Sequence, residues 1–302
     1  MRNHRAGMTL IELLIVLALM AGLATFALKS MDDMSARSRY EISRNRLENI
    51  ERVITGDGVH AGRFLSDMGR LPMVQVVDGP WADRDGIWLN ELWDAPATIR
   101  AAPVPFSIAP GDGFSPLTGT LHAGWAGPYF QPLHGRIFDG FGNGFTSSVA
   151  VAHGSLIPNV ISLGRDGTLG GTDWMDLDLV VSFDHITNAT LHVQVMGMST
   201  QGTARVWTPV SSLFTSGQVT NAAVALIVPD IGLDSRSIAV QSRPLSAASA
   251  TVQYEDLVPG TRKVLAWATA GTNGWWSDVH TVEIGRGSQH ITLYLTREME
   301  RE

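Results

Sequence analysis

The feature that most constrains this chain is an unbroken apolar run near its beginning. Met8–Leu28 holds 21 residues with a single charge, Glu12, and no Pro. As a helix, about 20 apolar residues span roughly 30 Å of hydrocarbon, so the run reads as a membrane-crossing segment. The stretch before it is polar and basic, and Arg2 and Arg5 predict a cytoplasmic N-terminus with the rest of the chain exported. A secretory signal peptide and a plain anchor are the simpler uses of such a run. It exceeds the apolar core of about 7–15 residues usual in a signal peptide, and no A-x-A-like site precedes the change in pattern. Neither use accounts for Glu12, because a carboxylate within lipid costs about 3 kcal/mol unless it is paired.

From Lys29 the sequence turns amphipathic. Leu28, Met31, Met34, Ile42, Leu47, Ile50, Val53 and Ile54 recur at roughly helical spacing among Arg and Glu/Asp. No Pro occurs before Gly56-Asp57-Gly58, where the helix is expected to stop. A helix from Met8 to Thr55 is roughly 72 Å long. Its first half is expected in lipid or a filament core and its second half on a folded head; a charged coiled coil is the alternative for residues 30–55.

The remainder of the chain is long enough for two folded units. The chain has 302 residues, 44% hydrophobic and 17% charged, which excludes a wholly disordered protein. Residues 1–55 carry eight Arg/Lys against six Asp/Glu, a net of +2, and the rest carries 14 against 23, a net of −9. That larger part would repel phosphate, so no nucleic-acid partner is expected. Cysteine is absent, which removes disulfides, thiolate metal sites and Cys nucleophiles.

Gly7-Met8-Thr9-Leu10-Ile11-Glu12-Leu13-Leu14-Ile15-Val16-Leu17 resembles the cleavage and methylation signature of type IV pilins and type II secretion pseudopilins. The resemblance implies cutting after Gly7 by a prepilin peptidase and N-methylation of Met8, where Phe is usual. It also implies that Glu12 pairs with the terminal amine of a neighbouring subunit during assembly. Many pilins carry a Pro at the start of the amphipathic half, and this chain has none. Three later stretches resemble the major pseudopilin of type II secretion, in its order: Gly124–Tyr129, Asp139–Phe145, and Ile161–Gly171 continuing to Asp176–Leu179. The second has lost both prolines of the family's form. The resemblance covers residues 1–180.

The third stretch also has a chemical reading of its own. Asp166, Asp173, Asp176 and Asp178 fall within 13 residues, with Gly164, Gly167, Gly170 and Gly171 among them. Oxygen ligands on a Gly-bent loop suit a hard cation such as Ca²⁺, and the spacing is not that of an EF-hand. A solvated acidic loop without metal is the alternative. The resemblance implies a calcium site, carried by position onto the Leu163 carbonyl, Asp166, Asp176 and Asp178, with Asp173 as a further candidate.

Beyond Leu179 come alternating runs bounded by turn residues: Thr190–Val195, Ala222–Val228, Ser237–Val240, Lys263–Thr269, Val279–Ile284 and His290–Leu295. They indicate a β-sandwich of roughly 110 residues. Tyr254–Thr261 and the strands after it resemble transthyretin-like carboxypeptidase regulatory domains over about residues 185–297, which implies a noncatalytic module for stability or binding. The Asn273-Gly274-Trp275-Trp276 turn is either a contact surface or a plug at the end of the core. Trp81, Trp88 and Trp93 are clustered and are read first as core aromatics, with carbohydrate binding as the other reading. Nine His lack a zinc spacing, and no nucleophile elbow, P-loop or dinucleotide fingerprint occurs in context, so no enzyme is expected.

The expected fold class is α+β: a long N-terminal helix, a small antiparallel head and an all-β sandwich. The expected division is leader 1–7, helix 8–55, head 56–182 and sandwich 185–297. The resemblance implies a pseudopilin of the bacterial inner membrane, single-pass, with its folded parts in the periplasm. Its partners would be other pseudopilin subunits, the prepilin peptidase, the secretion assembly platform and the inner membrane. The acidic loop and absent Cys favour type II secretion over a type IV pilus. A minor type IV pilin, or a membrane-tethered adhesin or glycan binder acting through the sandwich, is the alternative.

Overall fold

The computed structural model of the chain describes residues 10–57, 60–72, 89–111, 113–132, 135–152, 155–171, 176, 178–183, 186, 189–201, 203–232 and 235–299. Gly7, Met8, Trp81, Trp88 and Asp173 lie outside these. Helix α1 runs over Leu10–Thr55, 46 residues, and stops at Gly56 as the sequence predicts. Gly56 has φ +88°, and a Cβ there would overlap the His60 carbonyl oxygen, so the stop needs glycine. The packed stripe of α1 begins later than the apolar spacing suggests. Leu28, Met31 and Met34 remain more than two-thirds exposed, whereas Ala36, Ser43, Leu47, Ile50 and Ile54 are buried.

After α1 come α2 (Arg63–Met68) and two short 3₁₀ turns at Leu89–Leu92 and Ala97–Ile99. Strands β1 (Ala102–Ile108) and β2 (Leu117–Ala123) form an antiparallel pair. Strands β3 (Thr146–Ala152), β4 (Ser155–Ser162) and β5 (Leu179–Ser182) form a three-stranded sheet in that order. The remaining elements are β6 (Ala189–Gln201), β7 (Ala204–Pro209), α3 (Val210–Thr215), β8 (Asn221–Ile231), β9 (Arg236–Pro244), β10 (Thr251–Leu257), β11 (Gly260–Ala270), β12 (Asn273–Trp276), β13 (His280–Ile284), β14 (Gly287–Tyr294) and β15 (Arg297–Glu298). The fold class is α+β, as expected from the sequence.

The last ten strands make two sheets. In the first, β6 is central, with β10 and β7 antiparallel along one edge and β14 parallel along the other. In the second the order is β15-β12-β11-β8-β9, with β13 also on β11. Alternation puts Leu191, Val193 and Val195 of β6 inward, where they join Val224 and Leu226 of β8, Val264 and Ala266 of β11, and Leu293 of β14 in one apolar core. Tyr254 of β10 is fully buried there, and its hydroxyl donates to the Val224 carbonyl at 2.8 Å. Removing these side chains from water is the main force that closes the sandwich.

By contacts the chain divides into two compact units. Unit 1 takes the described residues of Met1–Arg46, Ile137–Phe145 and Ser162–Leu179; unit 2 takes those of Leu47–Arg136, Thr146–Ile161 and Val180–Glu302. Within unit 2, α2 and the first β-pair pack directly on the sandwich strands. Arg262 of β11 is 2% exposed, and its guanidinium donates to the carbonyls of Ser66, Val258, Pro259 and Thr261. Burial pushes this arginine down to about 10. Arg70 donates twice to the buried Glu91 carboxylate, at 2.8 and 3.0 Å, and to the Ile231 carbonyl at 2.6 Å. The Gly124–Tyr129 stretch serves the same unit. Trp125 is buried and donates through Nε1 to the Glu91 carbonyl, and the Tyr129 hydroxyl donates to Asp67 Oδ2 at 2.9 Å.

Candidate functional site

Two features of unit 1 carry the functional candidates: the exposed half of α1, and a joint where the Asp139–Phe145 stretch meets its second half and holds the glycine-rich loop. Every residue from Leu10 to Asp32 is exposed, with Leu23 at 70% and Phe26 at 74%. A continuous apolar surface of this length has no stable exposure to water and requires lipid or other helices around it. The helix is long and apolar enough to supply one membrane-spanning segment. Inside it, the Thr25 hydroxyl donates to the Ala21 carbonyl at 2.8 Å, so its polar group is satisfied without water. Glu12 stands exposed in the first described turn of α1.

The joint is built on Ser43 and Arg46 of α1. Ser43 is fully buried; its hydroxyl donates to the Arg39 carbonyl and accepts the Gly140 N–H at 2.8 Å. Arg46 donates to the carbonyls of Phe138 and Asp139. A Cβ at residue 140 would overlap the Arg39 carbonyl oxygen, so glycine is what lets the two backbones meet. Asp139 is 2% exposed and fully engaged. Its Oδ1 accepts the N–H groups of Phe141 and Asn143 at 2.9 and 2.8 Å, and its Oδ2 accepts the Ser162 hydroxyl at 2.9 Å. Such a set of donors compensates the desolvation of a carboxylate that would otherwise be costly to bury.

Asn143 carries the connection onward. Its Nδ2 donates to the Gly164 carbonyl at 2.7 Å, which fixes the start of the glycine-rich loop. Leu163, beside it, is half-buried. Within the loop, Asp166 is exposed and closes its own turn, accepting the Thr168 N–H at 3.1 Å and the Thr168 hydroxyl at 2.6 Å. These two bonds hold its carboxyl below the ordinary carboxylate value. Asp178 Oδ2 accepts the Gly170 N–H at 2.8 Å, while its Oδ1 is buried with no hydrogen-bond partner among the described residues. A Cβ at residue 171 would overlap the Asp176 carbonyl oxygen, so Asp176 and Asp178 both close against Gly170–Gly171. Asp166 engages Thr168 instead. Among the described residues no three His, Asp or Glu groups gather as a ready metal cluster.

Sequence reasoning identified the stretches but not what joins them. Ser43, Arg46, Asn143 and Ser162 act through tertiary hydrogen bonds. Asp139 had the clearest local signal, as an Asp followed by Gly and, four residues on, by Asn, the pattern of a side chain that caps its own turn.

With this geometry in place, a comparison with protein families identifies one segment. The prokaryotic N-terminal methylation motif matches residues 2–28. No curated protein and no solved structure matches the chain. The motif, the long apolar helix and the β-sheets after it give this chain a pilin-like architecture.

Proposed function

We propose that this chain is a structural subunit of a type II secretion pseudopilus. It is cut after Gly7 by a prepilin peptidase, N-methylated on Met8 and assembled through α1 into a periplasmic filament that aids protein export. The observation that carries the reading is the methylation motif over residues 2–28, running directly into a helix whose described residues are all exposed as far as Asp32. Helices from neighbouring subunits would cover that surface, and Glu12 would set their register by pairing with a neighbour's terminal amine. The assembly platform and inner membrane are the other partners of this reading. The sandwich makes the subunit bulky, which favours a minor or capping position.

The glycine-rich loop is proposed to take a structural Ca²⁺, held by the Leu163 carbonyl, Asp166, Asp176 and Asp178, with Asp173 as a further candidate. Support comes from Asp178 Oδ1, a buried carboxylate oxygen with no hydrogen bond among the described residues, which is the kind of atom a hard cation compensates. The ion would supply the positive charge that lets these carboxylates sit together in a chain without disulfides. Calorimetry with Ca²⁺ on the purified protein should record binding; none at millimolar calcium removes the site.

Mass spectrometry of the membrane-extracted protein tests the main reading. The expected chain begins at N-methyl-Met8. An intact Met1 terminus, in cells with an active prepilin peptidase, overturns it. Glu12→Ala is expected to insert in the membrane yet fail to enter filaments.

A further inference from the structure

We propose that one end of the sandwich is a carbohydrate-binding pocket for the terminal one or two sugars of a neutral glycan. The inference goes beyond the filament reading and does not depend on it. A cavity of about 660 Å³ opens there, between the end of β6, the segment after α3, and the start of β12. That volume lies within the range of about 300–1,000 Å³ typical of small-molecule sites. Its floor is apolar: Leu213, Val219 and Leu295 are all buried. Trp275 forms a wall. It is half-buried, and its backbone is paired with Ala268 on one side and Glu298 on the other, so the indole is held by strands rather than by a loop.

The rim is polar. Arg205, Gln218, Asn273 and Glu298 line the cavity and are exposed. Among the described residues none of these four side chains has a hydrogen-bond or ion-pair partner. Together they offer guanidinium and amide donors beside amide and carboxylate acceptors. A sugar presents the complementary surface, with hydroxyls that both donate and accept at its edge and a C–H face that lies on an indole or an apolar floor. One Arg against one Glu leaves the rim without net charge, which disfavours phosphate and other polyanions. An added peptide strand is disfavoured too, because β15 already covers the edge of β12 at Trp275.

Saturation-transfer NMR on the full chain in detergent tests this, with cellobiose, maltose and N,N′-diacetylchitobiose as probes and a polar tetrapeptide as control. At least one disaccharide should receive saturation. Trp275→Ala should weaken its binding about tenfold or more, the loss expected of a stacked anchor. Because Trp275 also touches the core, the double variant Gln218→Ala/Asn273→Ala, which changes only exposed side chains, should weaken binding as well at an unchanged melting temperature. Absence of transfer to all three sugars overturns the proposal. So does sugar binding that the double variant leaves unchanged, or transfer to the peptide alone.

Discussion

The joint on α1 and the core of the sandwich hold the chain by opposite means. At the joint, Ser43, Arg46, Asp139 and Asn143 each reach a main-chain group, and Gly140 admits backbone to backbone. In the sandwich, rows of Val, Leu and Ala from two sheets share one apolar interior. Hydrogen bonds are directional and each serves one geometry, whereas apolar burial is roughly proportional to area and indifferent to direction. The joint should therefore fail at single positions, and the sandwich should lose stability in graded steps.

Truncation in the sandwich sets the scale. Leu226 is fully buried at the middle of β8, and Leu226→Ala should cost about 3 kcal/mol through lost burial and the cavity left behind. Denaturant unfolding in detergent would read this as a shifted midpoint. At the joint the addition of one methyl should act almost as strongly. Gly140→Ala puts a Cβ where the Arg39 carbonyl oxygen lies, and the forced separation should cost about 2 kcal/mol. Its signature is local: amide exchange at Gly140, Phe141 and Asn143 should accelerate. Equal tolerance of Ala at 140 and at a solvent-facing position such as Gly144, where nothing lies near a Cβ and φ is not positive, would remove the contrast.

The same contrast explains what the sequence reveals. The stop of α1 at Gly56 and six of the sandwich strands follow from local period and turn chemistry, and they appear where expected. The parallel pairing of β14 with β6 does not, because neither strand records its neighbour across nearly a hundred residues. Glu12 stands out because a charge inside an apolar run is conspicuous. Ser43 and Arg46 do not, because polar residues on a charged helix look like any solvated face until a partner is known. Leu28, Met31 and Met34 mislead in the other direction. Their spacing suggests packing on the head, yet their exposure continues the apolar surface of the first half. Periodicity reports that a face is apolar, and it cannot report what covers that face.

Asp139→Asn tests whether charge or geometry holds the joint. The amide oxygen can still accept the N–H groups of Phe141 and Asn143, and Ser162 can turn its hydroxyl to accept from the new NH₂. What is lost is the charge-assisted part of three hydrogen bonds, about 1 kcal/mol in all. Exchange of the two turn amides should rise modestly, less than in Gly140→Ala. A loss as large as that of the glycine substitution would mean that charge, rather than close approach, holds the loop.

The smallest effect belongs to Asp67, the carboxylate in unit 2 that offers the closest contrast with Asp139. It accepts one side-chain hydrogen bond, from the Tyr129 hydroxyl, where Asp139 accepts three donors. Burial raises its pKa above the ordinary 3.8, and the Tyr129 bond and nearby Arg63 only partly offset that. A raised carboxylate pKa means that the folded state takes up a proton at a pH where the unfolded chain is still ionised. Its contribution to stability is therefore fully present below the unfolded value and fades as pH rises through the folded one. Replacing Asp67 by Asn removes this dependence. The melting temperature of the wild type, measured against Asp67→Asn, should rise as pH falls from neutral towards 4. A difference that is flat over that interval would place Asp67 in the same well-solvated class as a surface carboxylate, and one that falls would reverse the sign argued from its burial.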